Sequence, residues 1–227
     1  MLHEKYRPQD WSEVAGQDKA VATLSRMDKA GTLAGRSYWI SGRSGNGKTT
    51  LARIIARKVS TPALTMEIDA GELTAGTLRE IQNKLDGAIA MAECPLFADG
   101  FKPNGGKVLA VIVNEAHGLM RNSSRVMLKL TEAPYADHAV FVFTTTLAGQ
   151  MQFEDGGIDA GPLLSRCMRI ELAQRDVAEP MARRAREIAQ AAGLDGQPLE
   201  KYVKALRDRG SNMRELLNDI EAGLMAV

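Results

Sequence analysis

The sequence predicts an α/β fold in which a five-stranded parallel sheet with helices on both faces is followed by a small, all-helical domain. Short, almost continuously apolar segments alternate with segments of helical periodicity, as in a parallel sheet that is buried on both faces. A glycine-rich turn joins the first predicted strand to the helix that follows it. After residue 172 only helical segments are predicted, so we expect two domains, at 1–172 and 173–227.

The five predicted strands are short and rich in β-branched or aromatic residues. The first begins at Arg36, shortly before the glycine-rich turn. The strand Lys107–Val113 is apolar after its first residue, which is typical of a strand with no solvent-facing side. The other predicted strands are Ala63–Ile68, Ala139–Phe143 and Cys167–Leu172.

Helices are predicted where apolar residues recur at intervals of three and four positions. Leu51, Ile54 and Ile55 have this spacing directly after the glycine-rich turn, which indicates that a helix begins there. The further predicted helices are Thr74–Cys94, Asn122–Ala133, Val177–Ala192, Pro198–Arg209 and Asn212–Met225.

Composition excludes several classes of function. The 227 residues carry 29 Lys and Arg against 28 Asp and Glu, so any contact with nucleic acid depends on a local patch or on several subunits. Cys94 and Cys167 are far apart in the sequence, which argues against a zinc site and favours the reducing cytoplasm. The longest apolar run, Val108–Val113, is far shorter than the roughly 20 residues of a membrane-spanning helix. We therefore expect a cytoplasmic protein that binds neither zinc nor a membrane.

The glycine-rich turn is a phosphate-binding loop. Its sequence GRSGNGKT matches the pattern G-x-x-x-x-G-K-[ST] between a predicted strand and a predicted helix. The glycines let successive backbone N–H groups point at phosphate oxygens, and the helix N-terminus adds a favourable dipole. We expect Lys48 to reach the β- and γ-phosphates of ATP, and the Thr49 hydroxyl to ligate Mg²⁺. The residues predicted to bind the nucleotide here are Gly42, Ser44, Gly45, Asn46, Gly47, Lys48, Thr49 and Thr50.

Two polar residues, Asn114 and Glu115, follow the strand that ends at Val113. A carboxylate beside a phosphate-binding loop can orient and deprotonate the attacking water, and we predict this catalytic role for Glu115. The residue before it is usually an aspartate that brings negative charge to the Mg²⁺. Asn114 can still bind a metal-bound water, but it carries no charge. The sequence therefore predicts a metal site formed by Thr49 and Asn114, and weaker ATPase activity than an aspartate would give.

Further motifs occur along the chain in a fixed order. They are KYRP and VAGQ within 4–17, EAH through LKLTEAP at 115–134, FTTT at 143–146, LSRC at 164–167 and NMR at 212–214. In type, order and spacing they are similar to motifs of the clamp-loader branch of the AAA+ ATPases, which includes the bacterial DNA polymerase III gamma/tau subunit and the small subunits of replication factor C. The resemblance extends from the N-terminus to about Asn218 and covers most of the chain.

The resemblance implies roles for residues outside the phosphate-binding loop. The sensor 1 hydroxyl is implied to be that of Thr146. Arg166, in the SRC motif, is implied to complete the ATP site of a neighbouring subunit. Arg214 is implied to reach the γ-phosphate from the helical domain, which this family uses as a lid. The N-terminal motif is implied to close over the adenine through Tyr6, Arg7, Pro8 and Val14.

The resemblance also implies ATP and Mg²⁺ as cofactors and other AAA+ subunits as partners, in an assembly that acts on a sliding clamp and primer-template DNA. We predict that Arg121 and Arg125, near the start of the helix at 122–133, contact DNA phosphates. The alternative, an ordinary solvated helix face, stays open for these two arginines.

The sequence departs from the family pattern in three ways. It has no zinc module between the two nucleotide motifs, a longer loop between Thr146 and Ser165, and no third helical collar domain. Either a shortened form of a longer protein or a compact relative fits these departures. Two other functions stay open: a helicase loader or branch-migration motor, and a catalytically weak, ATP-binding structural subunit that donates Arg166 to a partner.

Overall fold

A five-stranded parallel sheet forms the centre of the computed structural model, which describes residues 1–94, 106–146, 152–153 and 158–225. The strands are β1 (Arg36–Ser41), β2 (Thr65–Asp69), β3 (Leu109–Asn114), β4 (Ala139–Thr145), β5 (Gln152–Phe153), β6 (Ile158–Asp159) and β7 (Cys167–Glu171). The order across the main sheet is β2-β3-β4-β1-β7, and β5 and β6 form a separate antiparallel pair. The predicted five-stranded parallel sheet is confirmed.

The predicted helices are all present, with small shifts at their ends. The helices of the described residues are α1 (Leu2–Lys5), α2 (Asp18–Lys29), α3 (Lys48–Val59), α4 (Ala75–Ala92), α5 (Arg121–Leu130), α6 (Gly161–Leu164), α7 (Ala178–Ala191), α8 (Leu199–Asp208) and α9 (Met213–Glu221). Neither α1 nor α2 was expected from the sequence. None of these helices is long and apolar enough to cross a membrane.

Two helices, α5 and α9, end three or more residues earlier than predicted, for local reasons. Helix α5 does not reach the predicted end at Ala133, because Pro134 disfavours helical geometry in the residue before it, and the helix ends at Leu130. Helix α9 ends shortly before Gly223, whose φ of 95° lies in the left-handed region that commonly terminates helices. The predicted long loop between Thr146 and Ser165 lies partly outside the described residues, and its described part contains β5, β6 and α6.

Both faces of the main sheet are buried, against different helices. Along β3, Val111 and Val113 pack in a cluster with residues of α4 and α5, whereas Ala110 and Ile112 pack with residues of α2 and α3. All four side chains are 0% exposed. Burial of a valine or isoleucine side chain contributes about 1.5–3 kcal/mol. This double burial explains why the strands are apolar throughout.

A third apolar cluster is formed by α7, α8 and α9. Its centre includes Tyr202, which is 0% exposed and donates a 2.8 Å hydrogen bond to Asp195. The N-terminal helix α1 joins this cluster through Leu2, and His3 Nδ1 lies 2.9 Å from Asn218 Oδ1. The start of the chain therefore packs on its last helices. The all-helical character of the C-terminal segment is confirmed, and the domain division between residues 172 and 173 stays a prediction.

Replacement of Phe141 by alanine tests the packing of the sheet. Phe141 is 0% exposed in β4. We expect the free energy of unfolding to fall by about 3–5 kcal/mol, because apolar contacts are lost and a cavity remains. Denaturant unfolding measures this change. The control Met91→Ala, at a position 43% exposed in α4, should change the free energy by less than about 0.5 kcal/mol, and equal effects of the two variants would contradict this packing.

Candidate functional site

Most of the predicted site residues meet at the carboxyl edge of the sheet, where β1, β3 and β4 end. Ser41 pairs with Thr145 across β1 and β4, and the neighbouring β3 ends at Asn114. In open α/β sheets, ligand sites form outside this edge. The phosphate-binding loop at 42–47 follows β1, and Glu115 follows β3. The topology therefore brings together motifs that are far apart in the sequence.

The phosphate-binding loop owes its shape to glycines with positive φ. The φ angles are 73° at Gly45 and 94° at Gly47, which a residue with a side chain rarely adopts. Gly47 is the N-cap of α3, so the first turn of α3 begins at Lys48. The first N–H groups of a helix have no partner within it and can bind an anion. The loop thus has the geometry of a phosphate cradle.

Lys48 holds this loop closed. It is 6% exposed, and its Nζ donates hydrogen bonds of 2.9 Å and 3.0 Å to the carbonyl oxygens of Gly42 and Arg43. Burial lowers the pKa of Lys48, the nearby Glu115 carboxylate opposes this shift, and Arg214 adds to it. The charges of Glu115 and Arg214 therefore both act on the Lys48 ammonium.

A cleft above the loop contains most of the predicted nucleotide-binding residues. Its space, open mouth included, is about 960 Å³. Gly42 and Asn114, which is predicted to bind the metal, lie outside its lining, whereas Glu115 and Arg214 contribute to it. The other predicted residues that line it are Tyr6, Arg7, Pro8, Val14, Ser44, Gly45, Asn46, Gly47, Lys48, Thr49 and Thr50.

The sequence did not reveal the contribution of α7 to this cleft. Met181, Arg184 and Ile188 line it from this helix, and His3 lines it from α1. The spacing of three and four residues in α7 puts these side chains on one face, but it does not indicate what that face contacts. No motif in this helix could have identified these residues.

Two buried polar atoms in the cleft are suited to a bound ligand. Among the described residues, Asn46 Oδ1 and Arg184 Nε are buried and have no hydrogen-bond partner. An unpaired buried polar atom costs about 1–3 kcal/mol. Both residues line the cleft. A polar ligand in the cleft can offer hydrogen bonds to these atoms, which fits the predicted nucleotide.

Asn114 connects three elements at the predicted metal site. Its Oδ1 accepts hydrogen bonds from Thr49 Oγ1 at 3.2 Å and from Thr144 Oγ1 at 3.0 Å. Its Nδ2 donates to Glu67 Oε1 at 3.0 Å. Hydroxyl and carbonyl oxygens are ligands that Mg²⁺ accepts, directly or through a water. Thr49 and Asn114 thus fit the metal that the phosphate-binding loop implies.

Three consecutive threonines occur at and just after the end of β4, and Thr146 is the one predicted to act as the sensor. Thr144 donates to Asn114, and Thr145 Oγ1 lies 3.1 Å from His117 Nδ1. Thr146 directly follows the strand and is half-buried. The sensor role of Thr146 stays a prediction, and the contact of Thr144 with the metal-site residue was not foreseen.

Glu115 has an unusual backbone. Its φ of 49° and ψ of 48° are left-handed, although it is not a glycine. Such conformations cost about 1–3 kcal/mol and are concentrated at functional sites. The side chain is 52% exposed, and its Oε2 lies 3.5 Å from His117 Nδ1. The strained turn directs a solvent-accessible carboxylate into the cleft, as activation of a water requires.

The loop touches the start of α9. A Cβ atom on Gly45 would lie 1.7 Å from Asn212 Oδ1, so only glycine fits there. The same Oδ1 accepts a 3.2 Å hydrogen bond from the backbone N–H of Glu215 and caps α9. This contact brings Arg214, in the first turn of α9, to the cleft.

Arg166 lies at the opposite end of the sheet from the loop. It directly precedes β7, whose first residue Cys167 pairs with Ser37 near the start of β1. The loop follows Ser41, so roughly 13 Å of strand separates the two sites at about 3.3 Å per residue. Arg166 forms an ion pair with Glu132. The chain does not bring this arginine to its own cleft.

The predicted DNA-contacting residues are also outside the cleft lining. Arg121 and Arg125 are exposed on α5, and Arg121 is the first residue of that helix. Their role in DNA binding stays a prediction.

Comparison with known sequences gives matches of two kinds. The sequence pattern of the ATPase family associated with various cellular activities (AAA) matches residues 38–153. The chain is 30% identical over 164 residues to the DNA polymerase III subunit gamma/tau of Mycobacterium tuberculosis, covering 64% of this chain and 27% of that protein. It is 25% identical over 196 residues to the DNA polymerase III subunit tau of Escherichia coli, covering 79% and 28%. The chain thus spans about a quarter of the length of these relatives.

Among solved structures, the chain is similar to the RuvB Holliday junction branch migration motor of Thermotoga maritima. The TM-score is 0.67 at 20% identity, covering 95% of this chain and 64% of that one. A point mutant of the same protein gives a TM-score of 0.69 at 18% identity, covering 96% and 65%. At this level of identity the likeness establishes the fold alone.

A Gly45→Ala variant tests the contact between the loop and α9. We expect the added Cβ to displace Asn212 and to strain a backbone with φ of 73°, which lowers the free energy of unfolding by at least about 1 kcal/mol. The matched control is Gly87→Ala in α4, where nothing lies within 4 Å of the new Cβ. It should raise the free energy by about 0.5–1 kcal/mol. Thermal unfolding distinguishes the two, and stabilisation by both variants would refute the contact.

Proposed function

Because the chain belongs to the ATPase family associated with various cellular activities, we propose that it binds ATP and Mg²⁺ and hydrolyses the nucleotide as a clamp-loader-like subunit in DNA replication or repair. One observation carries the ATPase assignment: the loop, Glu115 and Arg214 line one cleft. The similarity to DNA polymerase III gamma/tau subunits supports the replication role.

The triphosphate is bound by the loop amides, Lys48 and Arg214. These groups are cationic or hydrogen-bond donors, so they stabilise the charge that builds up on the γ-phosphoryl oxygens. Thr49 and Asn114 would hold Mg²⁺, which would neutralise phosphate charge. Glu115 accepts a proton from the water whose oxygen bonds to the γ-phosphorus, while the bond from that phosphorus to the β–γ bridging oxygen breaks.

The adenine is bound between the N-terminal segment and the C-terminal helices. Tyr6, Pro8 and Val14 supply apolar surface on one side, and Met181 and Ile188 supply it on the other. This arrangement supports ATP bridging the two sides of the cleft. The division into a nucleotide-binding domain at 1–172 and a lid at 173–227 is part of the same proposal.

The similarity to DNA polymerase III gamma/tau subunits also supports a proposal about protein and DNA partners. We propose that the chain assembles with other AAA+ subunits and that the assembly acts on a sliding clamp and primer-template DNA in the cytoplasm. Arg121 and Arg125 contact DNA phosphates from their exposed positions on α5. Thr146 senses the γ-phosphate of the chain's own ATP, whereas Arg166 serves the site of the next subunit.

One observation favours a second candidate function, a structural subunit with weak ATPase activity. Asn114 lacks the charge of an aspartate at the metal, so Mg²⁺ is held less tightly and hydrolysis is slowed. Nucleotide binding, which depends mainly on backbone amides and Lys48, is preserved. A single-turnover ATPase assay with and without primed DNA separates the two candidates. Stimulation by primed DNA supports the clamp-loader role, and its absence together with tight ATP binding supports the structural role.

A Lys48→Ala variant tests the assignment of the phosphate-binding loop. We expect ATP binding to be lost, because the variant removes the loop's cation at the β- and γ-phosphates. Equilibrium titration with a fluorescent ATP analogue measures the affinity. The control Lys129→Ala changes an exposed lysine on α5 and should bind as the parent does. Unchanged affinity in Lys48→Ala would remove the basis for the assignment.

Mixing two inactive variants tests whether Arg166 acts on a neighbouring subunit. Arg166→Ala protein keeps Glu115, and Glu115→Gln protein keeps Arg166, so mixed assemblies contain some complete sites. Since such an arginine is worth about 10³-fold or more in rate, we expect the mixture to exceed the summed activity of its components. The control mixture pairs Arg166→Ala with the double variant and should stay inactive. If assembly is demonstrated and no excess is measured, the role of Arg166 between subunits is wrong.

A further inference from the structure

We propose that Glu67 is a positioning residue for the metal side of the site, because its carboxylate sets the orientation of the Asn114 amide. This inference rests on the proposed function, since it concerns how the chain holds the Mg²⁺ of bound ATP. Glu67 lies on β2, outside the motifs of the sequence and outside the lining of the cleft. It nonetheless contacts the site, because its carboxylate accepts a hydrogen bond from the Asn114 side chain.

An asparagine at a metal site has two chemically different ends. Its Oδ1 can face a cation or a metal-bound water, whereas its NH₂ group is only a donor and repels a cation. A rotation of half a turn about the last side-chain bond exchanges the two ends. The Mg²⁺ affinity of the site therefore depends on what determines this rotation. An aspartate has two equivalent oxygens and needs no such control.

The neighbours of Asn114 select one orientation. Glu67 Oε1 lies 3.0 Å from Nδ2, and an ionised carboxylate only accepts hydrogen bonds, so the NH₂ group must face it. The hydroxyls of Thr49 and Thr144 lie on the other side and donate to Oδ1 at 3.2 Å and 3.0 Å. Because a hydroxyl can both donate and accept, the two threonines alone do not decide the orientation. Glu67 does.

Arg53 in turn fixes Glu67. Its Nε and Nη2 donate to the two carboxylate oxygens at 2.7 Å and 3.0 Å, which is a bidentate arrangement of high geometric specificity. Arg53 is four residues after Thr49 in α3, so both side chains lie on the same face of that helix. Hydrogen bonds thus connect four side chains in series, from Thr49 through Asn114 and Glu67 to Arg53. Both ends of this series lie on α3, and Glu67 lies on β2, the strand next to β3.

The test is a double-mutant cycle read by ATP affinity, with and without Mg²⁺. The quantity measured is the ratio of the dissociation constant in EDTA to that in Mg²⁺. In the parent chain, Glu67→Met removes the acceptor, and we expect the ratio to fall by about threefold to tenfold, the size of one lost hydrogen bond. Glu67→Gln keeps an acceptor oxygen and should retain most of the ratio.

The same substitution in an Asn114→Asp background provides the decisive comparison. The two carboxylate oxygens of the aspartate are equivalent, so Glu67→Met should not lower the ratio there. An equal loss in both backgrounds would mean that Glu67 only supports the fold, and the proposal would be wrong. If Glu67→Met does not fold, Arg53→Met loosens Glu67 and should give the same dependence on residue 114.

The parent chain distinguishes failure of this inference from failure of the proposed function. If the unaltered chain does not bind ATP, or binds it equally well in EDTA and in Mg²⁺, the proposed Mg²⁺–ATP site is wrong and the role of Glu67 falls with it. If the parent shows a clear Mg²⁺ dependence that Glu67→Met leaves intact in a folded protein, the site stands and only the positioning role is overturned.

Discussion

The register of three parallel strands determines the geometry of the whole site. Strand β4 lies between β1 and β3, and its pairing with both neighbours aligns their carboxyl ends. A slip of one residue would exchange the side chains facing α4 and α5 with those facing α2 and α3. Because each face is closely packed against its own helices, such a slip is strongly disfavoured. The apolar core therefore holds the polar side chains of Asn114 on β3 and Thr144 on β4 within hydrogen-bond distance of each other at one edge.

The polar edge then fixes the C-terminal helices relative to the sheet. The backbone of Ala173 makes two hydrogen bonds to the side chain of Gln17, which is 2% exposed. Asn46, in the phosphate-binding loop, donates to the same carbonyl oxygen at 3.4 Å. Further along, Asn212 abuts Gly45. The segment that precedes the C-terminal helices and the residue that caps the last of them thus both contact the loop, and the loop's conformation is coupled to the position of Arg214.

The sheet and the loop were predictable from the sequence, because each requires particular residue types at fixed positions along a short segment. The glycines of the loop and the apolar run of β3 are of this kind. By contrast, α2 was not predicted, although Ala20, Val21, Leu24 and Met27 recur at helical spacing and pack on the core. The contacts of Gly45 with Asn212 and of Asn114 with Glu67 join residues that are distant in the sequence, so no local pattern indicates them.

The charges in the cleft explain why an anionic ligand can couple its two sides. Lys48 and Arg214 repel each other, as the effect of Arg214 on the pKa of Lys48 indicates. The Lys48 ammonium donates hydrogen bonds to neutral carbonyl oxygens of its own loop. A phosphate between the two cations would pair each of them with a negative charge, which the neutral carbonyl oxygens do not supply. Since one cation belongs to the sheet side and the other to α9, an anion bound between them draws the C-terminal helices towards the loop.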